Sequence, residues 1–360
     1  MKVVKNRWRG IGLPAQEGLA PEEISTSANS AFTLFAACPR TMTTPLVERP
    51  DIAGELGVAT LHIKDERARM GLGSFKALGA AYAIAREADA RVRDGRAKTH
   101  ESALIGQTFA CASAGNHGLS LAAGAPVFGA KAVVFIAETV PEAFAERLRA
   151  KGADVVRAGA TYEDSIAAAE KMSVDNSWHF LPDGTWLGQT AAGKAVMEGY
   201  LVMGEEIANQ IPQAPTHVFL QAGVGGLAAA GAISARAKWG DDVTIIVIEP
   251  EAAPALQASI EAGGPVTTTG PVSNMGRLDC KEPSHLALKL LAREADWFVT
   301  ITDADAAGCV DWLAGKELAT TPSGGAGIAG LKCLAAVSSD VGLAPTSRIL
   351  CYLSEGPEDG

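Results

Sequence analysis

His217-Val218-Phe219-Leu220-Gln221-Ala222-Gly223-Val224-Gly225-Gly226-Leu227 runs from an apolar strand into a glycine cluster. An Ala-rich helix to about Lys238 follows, then a second apolar strand from Val243 to Glu249. Strand, glycine loop, helix and strand make up the repeating unit of a doubly wound sheet. Working outward, the long helical run Leu187 to Gln210 precedes this unit, and helix and strand alternate after it to a last strand, Arg348 to Leu353. Upstream, strands are expected at Thr108–Ala112, Lys131–Ala137 and Asp154–Val156. Helices are expected between them at about 116–129, Glu142–Lys151 and Tyr162–Met172. Such alternation indicates a parallel sheet with helices on its faces, here a small α/β subdomain over about 101–185. Residues 1 to about 45 read as an arm packed on the body, and 59–66 as a short strand with charge at its far end.

The composition is that of an ordinary folded protein. Of 360 residues 48% are hydrophobic and 20% charged, enough for one or two domains with a substantial core. A net charge of -10 argues against nucleic acid or an anionic membrane as partner. Cysteines at 38, 111, 280, 309, 333 and 351 form no Cys-x-x-Cys pair and have no histidine at ligand spacing, so reduced thiols and no metal are expected. Met1 to Gly10 lacks the apolar core of a secretory signal, and no stretch offers 18 uncharged apolar residues; a cytoplasmic location is the expectation.

The chemistry centres on Gly71-Leu72-Gly73-Ser74-Phe75-Lys76-Ala77-Leu78-Gly79-Ala80. One lysine stands at the mouth of a loop, before a run that reads as helix to about Arg86. Glycines at 71 and 73 permit turns that a side chain would obstruct, and Phe75, Leu78 and Tyr82 give apolar surface around the amine. A lysine desolvated in this way loses proton affinity and can attack an aldehyde, although most lysines near a helix start are surface charges.

In the glycine cluster, several backbone N–H groups can approach an anion at the positive end of a helix, and a phosphate is the natural guest. The spacing matches neither the dinucleotide fingerprint nor the nucleoside triphosphate loop. The same residues also suit a close-packed turn. Ser113-Ala114-Gly115-Asn116-His117-Gly118 opens another helix after a strand, with donors suited to a small carboxylate. Asn116 serves equally as a cap and His117 as a core histidine.

Four segments in this order resemble the fold-type II pyridoxal-phosphate enzymes, the tryptophan synthase β superfamily. They are Ser74 to Lys76, Ser113 to Gly118, Gly223 to Leu227, and Leu353-Ser354-Glu355-Gly356. The resemblance covers about residues 44 to 356. It implies two doubly wound parallel-sheet subdomains with pyridoxal 5'-phosphate between them: a large one of residues 1–100 and 186–360, and a small one of residues 101–185. Gly71 to Tyr82, Asp183 to Trp186, and Met275-Gly276-Arg277-Leu278-Asp279-Cys280-Lys281-Glu282-Pro283 are most similar to the diaminopropionate ammonia-lyases. The threonine/serine dehydratases are next.

By that resemblance Lys76 would form the Schiff base with the cofactor aldehyde and then remove the substrate α-proton. Phe75 would pack beside the ring and Asn116 would bind the ring hydroxyl. Backbone groups of Gly223, Val224, Gly225, Gly226 and Leu227 would hold the phosphate. Ser354 would bond the pyridine nitrogen, with Ser323 as the alternative partner. A hydroxyl there does not keep the nitrogen protonated, which favours β-elimination over transamination. Ser113, Ala114, Gly115 and His117 would receive the substrate carboxylate, and Asp183 would bind or protonate an amino leaving group. Pro182-Asp183-Gly184 is also an ordinary turn sequence. The ammonia-lyases typically carry an aspartate where this chain has Ala114, which argues against activity on a D-amino acid.

The implied reaction is β-elimination from a small amino acid such as L-2,3-diaminopropionate, giving pyruvate and ammonia in a homodimer. Alternatives are a serine/threonine or hydroxyaspartate dehydratase, and a pyridoxal-phosphate-binding protein without turnover. A mere binder would have no need of an amine poised at the aldehyde.

Overall fold

In the computed structural model, residues 1–21, 23–36, 38, 41–337 and 341–357 are described. The strands among them are β1 (Val3–Lys5), β2 (Leu46–Glu48), β3 (Thr60–Asp65), β4 (Thr108–Ala112), β5 (Lys131–Ile136), β6 (Ala153–Arg157), β7 (His179–Phe180), β8 (His217–Gln221), β9 (Thr244–Pro250), β10 (Trp297–Ile301) and β11 (Arg348–Leu353). The helices are α1 (Asn29–Ala36), α2 (Pro50–Leu56), α3 (Lys76–Arg93), α4 (Asn116–Gly124), α5 (Glu142–Ala150), α6 (Tyr162–Asn176), α7 (Ala191–Gln210), α8 (Gly226–Trp239), α9 (Ala255–Ala262), α10 (His285–Glu294), α11 (Asp303–Ala314) and α12 (Ala326–Ala335).

Among the described residues the strands form two sheets. The seven-stranded sheet has the order β1-β10-β9-β8-β11-β3-β2 and the four-stranded sheet the order β6-β5-β4-β7. β8, β9 and β11 are nearly uniform apolar runs with almost every residue buried, as strands covered on both faces must be. They pair in parallel, and so do all strands of the smaller sheet. The large sheet departs from the expected parallel pattern only at its edges, where β1 and β2 are antiparallel to β10 and β3. The N-terminal arm is thus partly a sheet strand.

Helix limits also shift. α3 runs to Arg93, past the expected end at Arg86, because its amphipathic face continues through Ala88. α4 stops at Gly124, and a short 3-10 turn containing Pro126 follows, since proline offers no N–H to continue the helix. α7 begins at Ala191, after a turn in which Trp186 and Gln189 bond each other.

One face of the large sheet is covered by α3, α7, α8 and α10. That same apolar cluster reaches into the small sheet through Leu119, Leu121, Val134 and Leu148. The other face is packed by α2, α11 and α12. The C-terminal ends of β8 and β11 and the start of α3 therefore open toward the small sheet. In doubly wound sheets, ligands bind at the strand ends.

Candidate active site

Lys76 is the first residue of α3. The turns before it need left-handed backbone: Gly71 has φ 68° and Gly73 φ 79°, while a Cβ at either would meet nothing. The turns demand glycine as expected, because at these φ values a Cβ would be obstructed by its own backbone and not by a neighbouring element. Gly79, one turn on, is demanded by packing. Its Cβ would lie 2.7 Å from Val196 Cγ1 and 2.8 Å from Tyr200 Oη, so only glycine lets α7 bring Tyr200 against the lysine.

Around the amine, Lys76 Nζ bonds Asp183 Oδ2 at 2.8 Å and sits 5.5 Å from the Phe75 ring centre and 5.9 Å from that of Tyr200. The two rings meet edge-on at 4.9 Å. Burial alone would lower the amine's proton affinity, but the Asp183 carboxylate outweighs it, and the ammonium is held above the usual lysine range. This reverses the expectation of a lysine with lowered proton affinity. Burial likewise would raise Asp183, yet Lys76 and then His117 hold it down at about 2. The side chains are 21% and 25% exposed, so the ion pair faces a cleft and is not sealed in the core.

Ser113 Oγ accepts from the N–H groups of Gly115 and Gly118, at 3.2 and 3.0 Å, which folds the loop back on itself. The N–H groups of Asn116 and His117, at the start of α4, donate to no protein acceptor among the described residues. His117 is buried with Nε2 2.8 Å from the Leu181 carbonyl, and burial lowers its proton affinity. Asn116 Nδ2 lies 2.5 Å from Glu355 Oε2. Glu355 also accepts from Thr321 Oγ1 and lies 3.1 Å from Arg277 Nε.

At the glycine loop, Gly225 has φ 101°, and a Cβ on it would crowd Ala287 and Leu256 at 3.0 and 3.1 Å. The N–H groups of Gly223, Gly225, Gly226 and Leu227 donate to no protein acceptor among the described residues. The Val224 N–H faces the Cys280 thiol, which burial and then Asp183 push up to about 12. Ser354 follows Tyr352 by strand alternation onto the face that carries α3 and α8, while its carbonyl accepts from Phe75 N at 3.0 Å. Ser323 Oγ instead accepts from Arg277 N.

Residues 39–355 match the family described as pyridoxal-phosphate dependent enzyme. Diaminopropionate ammonia-lyase of Escherichia coli strain K12 is 31% identical over 308 residues, covering 82% of this chain and 77% of that one. The chain belongs to the pyridoxal-phosphate-dependent enzymes. The crystal structure of the Escherichia coli diaminopropionate ammonia-lyase in complex with D-serine superposes with a TM-score of 0.87 at 25% identity, over 99% of this chain and 94% of that one. A biosynthetic L-threonine dehydratase of Haemophilus influenzae is 27% identical over 61% of this chain and 42% of its own. The fold is the fold-type II arrangement of this enzyme family.

For a pyridoxal-phosphate-dependent enzyme, several residues around the Lys76–Asp183 pair and the adjoining loops carry no local sequence signal. Tyr200 lies mid-helix in α7; its buried hydroxyl has no hydrogen-bond partner among the described residues, and burial pushes it to about 12. Tyr162 opens α6 and is exposed as a residue, yet burial of its hydroxyl end, with Asp183 adding, raises its pKa well above the usual value. Arg277, Cys280 and Glu355 lie inside segments that the family resemblance rests on, but only the fold brings them beside the loops. No group of metal-ligating side chains occurs among the described residues, and no helix there is long and apolar enough to cross a membrane.

Proposed function

We propose that this enzyme catalyses β-elimination from a small amino acid bearing an amino or hydroxyl leaving group, L-2,3-diaminopropionate being the test substrate. The 2.8 Å contact between Lys76 Nζ and Asp183 carries the proposal, because it puts a base and an acid side by side in the cleft. The donor set suits pyridoxal phosphate: an amine for the aldehyde, four N–H groups at a helix start for the phosphate, and a serine hydroxyl at a strand end. Lys76, Phe75, Asn116, Gly223 to Leu227 and Ser354 would hold it. When bound, the cofactor supplies a sink for the electron pair left by the α-proton.

Each residue then has a task. The N–H groups of Asn116 and His117 receive the α-carboxylate, beside the turn formed by Ser113, Ala114 and Gly115. Lys76 Nζ, once it carries no proton, takes the α-proton. Asp183 is held ionised mainly by the Lys76 ammonium; when that charge is gone, burial raises its proton affinity and it can protonate a departing amine. We place the cleft between a larger unit of residues 1–100 and 186–360 and a smaller one of residues 101–185, and propose a homodimer on the family likeness, located in the cytoplasm.

The dehydratase reading keeps one supporting observation, the methyl of Ala114 where the ammonia-lyases typically place a carboxylate. Product counting separates the two. Incubation with L-2,3-diaminopropionate should release 2-oxo acid with two ammonia molecules per acid, whereas L-serine gives one. Absence of 2-oxo acid from L-2,3-diaminopropionate, L-serine and 3-hydroxyaspartate alike would overturn the proposal.

A further inference from the structure

Two cavities meet at Arg277. One, of about 750 Å³, is bounded by Asn116, Arg147, Lys151, Arg277 and Glu355 among others. The second, of about 520 Å³, is lined by Ala114, Asn274, Gly276, Arg277 and the 320–323 loop. Arg277 is the one charged side chain in the described lining of the second cavity, which contains no carboxylate. Its backbone is fixed by the bond from Arg277 N to Ser323 Oγ, and its Nε stands 3.9 Å from where a Cβ on Gly115 would be. The guanidinium therefore leans over the loop between Ser113 and His117.

Charge decides what this wall accepts. With Ala114 contributing a methyl, nothing on the second cavity's wall balances an extra substrate ammonium, and Arg277 repels one. Glu355 Oε2 forms an ion pair with the guanidinium, 3.1 Å from Nε, and Glu355 is itself shared with Asn116 and Thr321, so an incoming carboxylate can exchange onto that pairing. Arg147 and Lys151, both exposed, add positive charge at the mouth of the first cavity.

We infer that Arg277 is a specificity-determining residue that receives a second carboxylate, carried on the substrate's Cβ. The preferred substrate is then a dicarboxylic α-amino acid with an amino or hydroxyl group on Cβ. Its two acid groups divide between the N–H groups that open α4 and the Arg277 guanidinium. This rests on the β-elimination reading for the leaving group, but not for the binding.

The test uses ligands without a leaving group. Holoenzyme is titrated with L-aspartate and with L-alanine, following the change in cofactor absorption, in wild type, Arg277→Met, Arg277→Lys and Ala114→Asp. Aspartate should bind at least tenfold tighter than alanine in wild type. The ratio should approach one in Arg277→Met, be partly kept in Arg277→Lys, and fall in Ala114→Asp, which leaves the arginine in place. A wild-type ratio near one, or a ratio that Arg277→Met leaves unchanged, would overturn the inference. So would equal losses for both ligands, which would put the α-carboxylate on Arg277. A normal aspartate preference in a protein that releases no 2-oxo acid would sink the elimination reading and leave Arg277 in its role.

Discussion

Lys64 and Lys76 are both withdrawn from bulk water and both bonded to a carboxylate, yet their surroundings differ in kind. Lys64 is fully buried, with Nζ held by Glu206 Oε2 at 2.7 Å, the Thr44 carbonyl at 2.8 Å and Gln210 Oε1 at 2.9 Å. Arg69 completes that cluster through Glu66 and Glu206, again with no exposure. Burial lowers the proton affinity of Lys64 despite Glu206, whereas Lys76 is raised. A lowered lysine pKa therefore does not mark the residue proposed to be reactive. What separates the two is exchangeability: Lys64 has every donor committed inside the core, and Lys76 has one carboxylate beside a cleft.

The sharpest way to break this contrast is to remove each amine or its partner. Lys76→Ala should lower 2-oxo acid release roughly 10⁴-fold or more, above about 5 kcal/mol in barrier, while leaving a folded protein. A variant with more than a tenth of wild-type turnover would show that Lys76 is as dispensable to chemistry as Lys64. Glu206→Ala should do the reverse. It strands Lys64 and Arg69 in the core and should cost about 3–5 kcal/mol in urea unfolding, as expected when a buried pair loses one member. An unchanged midpoint would mean that water or rearrangement replaces the carboxylate.

The smallest effect sharpens the comparison through pH. Asp183 is lowered from 3.8 to about 2, so the unfolded chain binds more protons between these values. Its contribution, roughly 2 kcal/mol by linkage, is fully present above about pH 4 and lost as pH falls toward 2. Cofactor-free wild type should therefore lose more stability than Asp183→Asn across that window. Parallel unfolding curves for the two proteins would deny the ion pair.

Much of the fold was legible because its central strands are continuous apolar runs, as in β8, β9 and β11. β1, β2 and β7 carry no such signal, each being three residues or fewer, too short for any periodicity and held only by a neighbour in the sheet, while β10 is foreseen only as part of the alternation after β9. The candidate site divides in the same way. Lys76, Asn116 and the 223–227 loop stand where glycine, turn and helix signals coincide along the chain. Tyr200 and Glu206 share one long helix, and nothing local says that one turns to the cleft while the other meets Arg69. The sign of the Lys76 shift was also beyond sequence, since it depends on a carboxylate 107 positions away.

The apolar cluster that passes from the large sheet through α3 into the small one has a mechanical consequence. Two sheets that share a core have no independent melting points, because neither can lose its packing without exposing the other's. Heating should therefore unfold them in one cooperative step, with loss of small-sheet and large-sheet structure at a single midpoint.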